Sequence, residues 1–316
     1  MLSRIAESLY WIGRYVERAE DTSRNLDVHL NLLLEDPWAP EQVLCASLLA
    51  AMGSPLETGG EPESGQPPKE VDKNTVLELL AWDRESPASI VGALTMAREN
   101  ARRSREVIST ELWETLNVTW HEAIRASRRA RPHSFFTWVK ERSAAFAGTA
   151  ESTQTRDEAY HFLTLGRAIE RADMTARLVA ARALAGDAGP SWVTLLQSCG
   201  AYQAFLRSAH AVVEDRRAVE FLLLDPLFPR SLISALTTAE RSLDDLSSDI
   251  DRYSKASEGH RILGMIRSEL EFAPTAEIFG DLYNLMERVQ SSCSLASDAI
   301  SRRYFSQGVY KEWAVS

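Results

Sequence analysis

A 13-residue segment occurs twice in this chain of 316 residues, and the repetition constrains the fold more than any other feature. Residues 12–24 read IGRYVERAEDTSR and residues 165–177 read LGRAIERADMTAR, with seven identical positions. The offset of 153 residues is close to half the chain, as expected if one structural unit had been duplicated. We therefore expect a fold built from two related halves.

Each copy of the segment has the periodicity of a long amphipathic helix. Apolar residues in the first copy alternate spacings of four and three, which places them on one helix face. The pattern predicts a helix over about 3–35, ended by Asp36-Pro37, because the residue before a proline leaves the helical region. The second copy predicts a helix that begins with a capping box at Thr155-Arg-Asp-Glu158 and ends near Gly186.

The repetition continues beyond the long helices. Trp38 and Cys45 correspond to Trp192 and Cys199 in a shorter second helix, and residues 83–97 match residues 225–239 at an offset of 142. No alternating β-branched run bounded by hairpin turns predicts a strand. Further helices are predicted over about 87–115, 118–130, 134–150, 230–253, 258–271 and 275–305.

These patterns predict an all-α fold. We expect a single helical-bundle domain over 1–316, built from two pseudo-symmetric repeats (about 3–150 and 155–305) with long antiparallel helices. Glycine and proline make up half of residues 53–68, which predicts a flexible insertion over 53–73 between helices of the first repeat.

Composition excludes several classes of function. The net charge of −10 argues against binding to nucleic acid, which needs a cationic surface. No apolar run approaches the roughly 20 residues that cross a bilayer, and the charged first helix is unlike a signal peptide, so we expect a cytoplasmic protein without a membrane partner. Three widely separated cysteines indicate neither a disulfide framework nor a zinc site.

The candidate site lies on the two repeated helices. On each helix a glycine, two acids and an arginine form one line beside the apolar face, with further arginines around the helix. The candidate ligand-binding residues are Arg14, Glu17, Arg18, Glu20, Arg24, Arg167, Glu170, Arg171, Asp173 and Arg177. A mid-helix glycine costs about 1 kcal/mol relative to alanine, so its recurrence indicates that a backbone or a ligand comes close.

Two interpretations of these residues are open. In the structural one, half-buried Glu–Arg pairs specify how two long helices cross. In the functional one, Glu17 and Glu170 act as acid or base in a polar cavity while the arginines hold an anionic group. A dinuclear metal site would need two Glu-x-x-His steps, and only Glu158-x-x-His161 occurs, so we predict neither a metal nor a cofactor.

A further polar cluster lies within residues 98–117 and has no good copy in the second repeat. A duplicated scaffold often carries function where its symmetry is broken. The alternative is a solvated helix with Trp113 in the core.

Several short motifs together resemble the bacterial alpha-E family, which is named for its helical fold and its Glu-Arg motif. Besides Glu17-Arg18 and Glu170-Arg171, they are Glu99-Asn100-Ala101-Arg102, Glu111-x-Trp113-Glu114-x-x-Asn117, Arg156-Asp157-Glu158 and Tyr304-Phe305. The resemblance runs from Met1 to about Phe305. It implies a partnership with circularly permuted ATP-grasp ligases and transglutaminase-like cysteine proteases, in systems thought to make or modify peptides.

Two hypotheses of function follow. The first is an accessory protein that binds an ATP-grasp ligase or its peptide substrate through a helical surface. The second is an enzyme of peptide or amide chemistry that uses a carboxylate and arginine cavity between the repeats, with Glu17 and Glu170 as the candidate catalytic residues. The oligomeric state is not predicted.

Overall fold

A computed structural model describes residues 1–35, 41–53, 71–126, 131–186, 190–209, 213–247 and 257–305. These ranges contain α-helices and two π-helical segments but no β-strand, which confirms the all-α prediction. The α-helices are α1 (Ser3–Glu35), α2 (Glu41–Ala51), α3 (Lys73–Leu77), α4 (Ile90–Arg103), α5 (Thr110–Ala126), α6 (Pro132–Thr153), α7 (Glu158–Ala185), α8 (Trp192–Ser198), α9 (Tyr202–Ala209), α10 (Asp215–Leu224), α11 (Leu232–Leu246), α12 (Glu258–Phe272), α13 (Thr275–Gly280) and α14 (Leu282–Ile300). The π-helical segments are Glu78–Trp82 and Ser301–Phe305. None of the described helices is long and apolar enough to cross a membrane.

The helices form two bundles of four. Helices α1, α4, α5 and α6 pack together, and α7, α11, α12 and α14 pack together in the same order; their buried apolar residues form one continuous core. The long first helices, α1 and α7, pack along each other and join the two bundles. This matching order is what a duplicated unit would produce, and the duplication itself stays a prediction.

Helices α1 and α4 run antiparallel. Arg18 of α1 donates to the carbonyl oxygen of Pro87, just before α4 begins. Ser8, near the start of α1, lines one cavity together with Asn100, near the end of α4. Within the first bundle, the prediction of antiparallel helices therefore holds for this pair.

The central pair, α1 and α7, runs parallel. At one end the N-terminal ammonium of Met1 lies 2.8 Å from a carboxylate oxygen of Glu158, at the start of α7. At the other end His29 lines a small cavity with Leu178 and Ala185. The prediction of antiparallel long helices is wrong here, because the periodicity of a helix identifies its apolar face but not its direction.

The ends of the long helices follow local chemistry. Helix α1 ends at Glu35, and Asp36-Pro37 lies outside the described residues. The predicted capping box at Thr155 is wrong: the carboxylate of Asp157 accepts the backbone N–H groups of Ala159 and Tyr160 and is the N-cap of α7. Gly186, at a φ of 53°, ends α7 as predicted.

Other boundaries differ from the prediction. The helix predicted over 87–115 is divided into α4 and α5, because the Ser109 hydroxyl accepts the N–H of Leu112 and starts a new helix. The helix predicted over 275–305 is interrupted at Asp281, between α13 and α14. Helices α3, α9 and α10 are absent from the predicted set. Most of the predicted insertion, residues 54–70, lies outside the described residues.

Candidate functional site

Helices α1 and α7 approach most closely at the repeated glycines. A Cβ atom added to Gly13 would overlap the carbonyl oxygen of Leu163, and one added to Gly166 would overlap that of Tyr10. The absence of a side chain thus brings two backbones into contact, which places residues one turn further along within reach of the opposite helix.

Glu17 of α1 is held by arginines of α7. Arg171 donates to both of its carboxylate oxygens, at 2.7 and 2.9 Å, and Arg167 donates to one of them at 3.2 Å. Glu17 has no exposed surface, so it borders no cavity open to solvent.

Glu170 of α7 makes the reciprocal contacts. Arg18 donates to its two carboxylate oxygens at 2.5 and 3.0 Å, and Arg14 donates to one of them. We call the six residues of these two sets the Glu-Arg cluster. It consists of Arg14, Glu17, Arg18, Arg167, Glu170 and Arg171.

A further arginine joins the cluster from one side. One terminal nitrogen of Arg230 lies 2.9 Å from Glu17 and 2.7 Å from Glu20, and its other terminal nitrogen donates to Asp21. The side chain of Arg230 is largely buried, with 12% of its surface exposed. Three carboxylates of α1 therefore share one arginine that comes from the start of α11.

Arg230 and Asp21 are site residues that the sequence analysis missed. At the offsets of the repeats, Arg230 corresponds to Ala88 and Asp21 corresponds to Met174. The charged pair thus exists in one half only. The available signal was this paired difference, two positions inside matched segments that change together from charged to apolar.

The charges of the cluster fix the ionisation of its two central carboxylates. Burial raises the pKa of Glu170, but Arg14 and Arg18 outweigh burial and bring that pKa down to about 2. Burial opposes the ionisation of Glu17 as well, and its arginines again hold the pKa below the ordinary value. A general acid or base works best with a pKa near the ambient pH, so this geometry favours the structural interpretation of both residues.

Asp21 is expected to make the folded protein less stable as the pH rises. Burial raises the pKa of Asp21, Arg230 lowers it, and Glu17 and Glu20 raise it again, with a net change from 3.8 to about 7. Between these values the folded state keeps a proton that the unfolded state releases. The stabilisation is therefore complete below pH 3.8 and is lost as the pH rises through about 7.

Urea unfolding of the wild type and of Asp21→Asn at pH 5 and pH 8 measures this contribution. The variant should lose less stability than the wild type between the two values, because its side chain does not ionise. Equal losses would contradict the raised pKa.

The remaining acids of the repeated lines, Glu20 and Asp173, each also have a partner one turn away on their own helix. Arg24 lies 2.7 Å from Glu20, and Arg177 lies 2.9 Å from Asp173. Asp173, Arg177 and Arg14 also line an open cavity of about 570 Å³ beside α14. At this cavity, candidate residues from both repeats border solvent.

Two further kinds of site, a metal centre and a reactive thiol, would draw on the histidines, acids and cysteines of the described ranges. These residues contain no group of three or more histidine, cysteine or acidic side chains that could hold a metal ion. His161 instead lies 3.4 Å from Asp245. All three cysteines are buried, and burial raises the pKa of Cys199 to about 12, which keeps that thiol protonated.

The polar cluster of residues 98–117 joins α4 to α5. Arg98 donates to the amide oxygen of Asn117 at 3.0 Å, and its guanidinium lies 4.3 Å from the ring centroid of Trp120. Trp113 is partly buried and lies 5.8 Å from the same guanidinium. These contacts are structural, and other residues of α4 face α1.

Comparisons with known proteins give a family and distant relatives. An uncharacterized protein of Mycobacterium bovis is 24% identical over 263 residues, which are 77% of this chain and 30% of the relative. Uncharacterized proteins of two Mycobacterium tuberculosis strains are 24% and 23% identical over the same shares. The chain thus spans about 30% of the length of the curated relatives it matches. No solved structure matches it.

The profile of one family matches residues 1–305. Its description is "a predicted alpha-helical domain with a conserved ER motif". The chain is all-helical in its described ranges and carries a Glu-Arg pair at Glu17-Arg18 and again at Glu170-Arg171. It belongs to the Alpha-E family.

Proposed function

We propose that this chain is an accessory protein that works with a circularly permuted ATP-grasp ligase and a transglutaminase-like protease in peptide synthesis or modification. The observation that carries the accessory role is the closure of the Glu-Arg cluster. Glu17 and Glu170 are each neutralised by arginines of the opposite helix and withdrawn from solvent. The residues that define the family thus hold two bundles together and leave the outer helical surfaces for binding.

The named partners come from the family resemblance. The long mycobacterial relatives support a role beside another protein, since the region that matches this chain is only 30% of their length. A domain of this kind can therefore be one part of a larger polypeptide, and a separate chain would make the same contacts between molecules.

A reconstituted reaction tests the proposal. The chain is mixed with a circularly permuted ATP-grasp ligase, ATP and candidate peptides, and the peptide masses are followed over time. We expect the two proteins to co-purify and the peptide to change mass faster with this chain than without it. Controls omit ATP or either protein.

Ligase activity unchanged by this chain, together with no co-purification, would contradict the proposal. Turnover by this chain alone would instead favour the alternative, an enzyme of peptide or amide chemistry. The observation behind that alternative is the 570 Å³ cavity, where Asp173 and Arg177 meet Arg14 of the other repeat.

A further inference from the structure

A separate cavity of about 670 Å³ lies between α1 and α4 in the first bundle. It shares Glu7 and Trp11 with the cavity that Asp173 lines. Its volume is in the range of small-molecule sites. The lining residues that bear on binding are Arg4, Glu7, Ser8, Trp11, Asn100 and Arg103.

The two arginines of this cavity are free. Arg4 at the start of α1 and Arg103 at the end of α4 are exposed, and neither makes an ion pair or a side-chain hydrogen bond in the described parts of the chain. The arginines of the Glu-Arg cluster, in contrast, are all paired with carboxylates. Two unpaired guanidinium groups on one cavity provide donors for a carboxylate or a phosphate.

Two buried polar side chains complete the wall. Ser8 is only 3% exposed, yet its hydroxyl makes no hydrogen bond with any described residue. Asn100 is 7% exposed, and its amide nitrogen donates to the carbonyl oxygen of Met96 at 2.8 Å, so its amide oxygen is left as an acceptor. Neither the Ser8 hydroxyl nor the Asn100 amide oxygen is bonded to a described residue, so both atoms can form a hydrogen bond with a ligand in the cavity.

The equivalent place in the second bundle has the opposite charge. At the repeat offsets, Arg4 corresponds to Asp157 and Arg103 corresponds to Asp245. There, Asp157 is used as the N-cap of α7, and Asp245 lies 3.4 Å from His161. The matched position is therefore acidic and paired within the protein, whereas the first bundle is basic and unpaired.

We propose that the cavity between α1 and α4 binds an α-carboxylate with an N–H donor beside it, as in the C-terminal residue of a peptide or a free amino acid. Arg4 and Arg103 pair with the carboxylate, and Ser8 donates its hydroxyl to it. Asn100 and Glu7, whose carboxylate makes no ion pair with a described residue, accept a hydrogen bond from the N–H group. The mixture of donors and acceptors favours this ligand over a phosphate, which has no N–H to offer.

Titration calorimetry of the full chain, without any partner protein, tests the inference. The probes are N-acetyl-Ala-Ala-Phe with a free carboxylate, the same peptide amidated at its C-terminus, free phenylalanine and inorganic phosphate. We expect the amide to bind at least ~10-fold more weakly than the acid, as the loss of a charge-assisted hydrogen bond predicts. Binding of either the tripeptide acid or phenylalanine more tightly than the amide supports the site. The tighter of the two shows whether the site takes a peptide or a free amino acid.

Variants locate the binding. Arg4→Gln and Arg103→Gln should each weaken the binding of the peptide with a free carboxylate at least ~10-fold, without changing the melting temperature of the protein. Arg102→Gln is the matched control, because Arg102 is on the same turn of α4 but pairs with Glu99 at 3.0 Å outside the cavity. Equal affinity for acid and amide, phosphate bound as tightly as the acid, equal effects of all three variants, or no binding by the wild type would each overturn the proposal. None of these outcomes depends on whether the chain binds a ligase.

Discussion

Replacing Glu17 with glutamine is expected to lower the free energy of unfolding by about 3–5 kcal/mol, the usual cost of removing one partner of a buried ion pair. Glu17 has no exposed surface and forms ion pairs with Arg167, Arg171 and Arg230. Without its carboxylate, three guanidinium groups are left at the junction of the bundles with a deficit of negative charge. Urea unfolding at pH 7 measures the loss.

Glu220→Gln is the control for this experiment. Glu220 pairs with Arg216 at 3.1 Å, but both side chains are well exposed, so its removal should cost less than about 1 kcal/mol. A small, equal cost for both variants would contradict the structural role of the cluster. A Glu17→Gln protein of normal stability that lost product formation in the reconstituted reaction would support the acid or base interpretation instead.

Much of the architecture could be predicted because its signals are local. The spacing of apolar residues predicted both long helices, and Gly186 predicted where α7 ends. The recurring glycines predicted a close approach by a backbone or a ligand. In the structure it is a backbone that comes close, because the nearest atoms to Gly13 and Gly166 belong to the main chain of the opposite helix.

The partners of the cluster could not be predicted in the same way. A helical wheel places Glu17 on one line with Arg24, but it does not say which arginines of the other long helix Glu17 meets. In the structure Glu17 is paired across the junction with Arg171. That exchange depends on the parallel course of α1 and α7, which periodicity does not determine. Arg230 is even harder to predict as a member of the site, because it follows α7 by more than 40 residues and has no charged counterpart in the first half.

The two halves are alike at the junction and differ around it. The ion pairs of Glu17 and Glu170 both connect α1 to α7, so a change in either copy would disturb the same junction between the bundles. The free arginines between α1 and α4, the paired His161 and Asp245 between α7 and α11, and Arg230 exist in one half each. Differences of this kind indicate where a fold of two similar halves can acquire a ligand without weakening its centre.

Substituting alanine for Gly166 should cost at least about 3 kcal/mol, at or above the upper end of the usual range for overpacking. The added methyl group would overlap the carbonyl oxygen of Tyr10, and the backbone cannot move away as a flexible side chain would. Separating the helices enough to admit it would lengthen the contacts of Arg14 and Arg18 with Glu170. Gly13→Ala should have a similar effect through Leu163, and both changes are measured by urea unfolding.

Gly148→Ala separates this steric effect from helix propensity. Gly148 is exposed on α6, and an added Cβ atom would meet nothing within 4 Å. Alanine there should stabilise the protein by up to about 1 kcal/mol, because it restricts the unfolded chain and favours the helix. Opposite signs for Gly166→Ala and Gly148→Ala would therefore establish that the glycines of the repeat are required by the contact between α1 and α7. A stabilising Gly166→Ala would mean that the two helices can part at little cost, and the Glu-Arg cluster would then not determine how the bundles are joined.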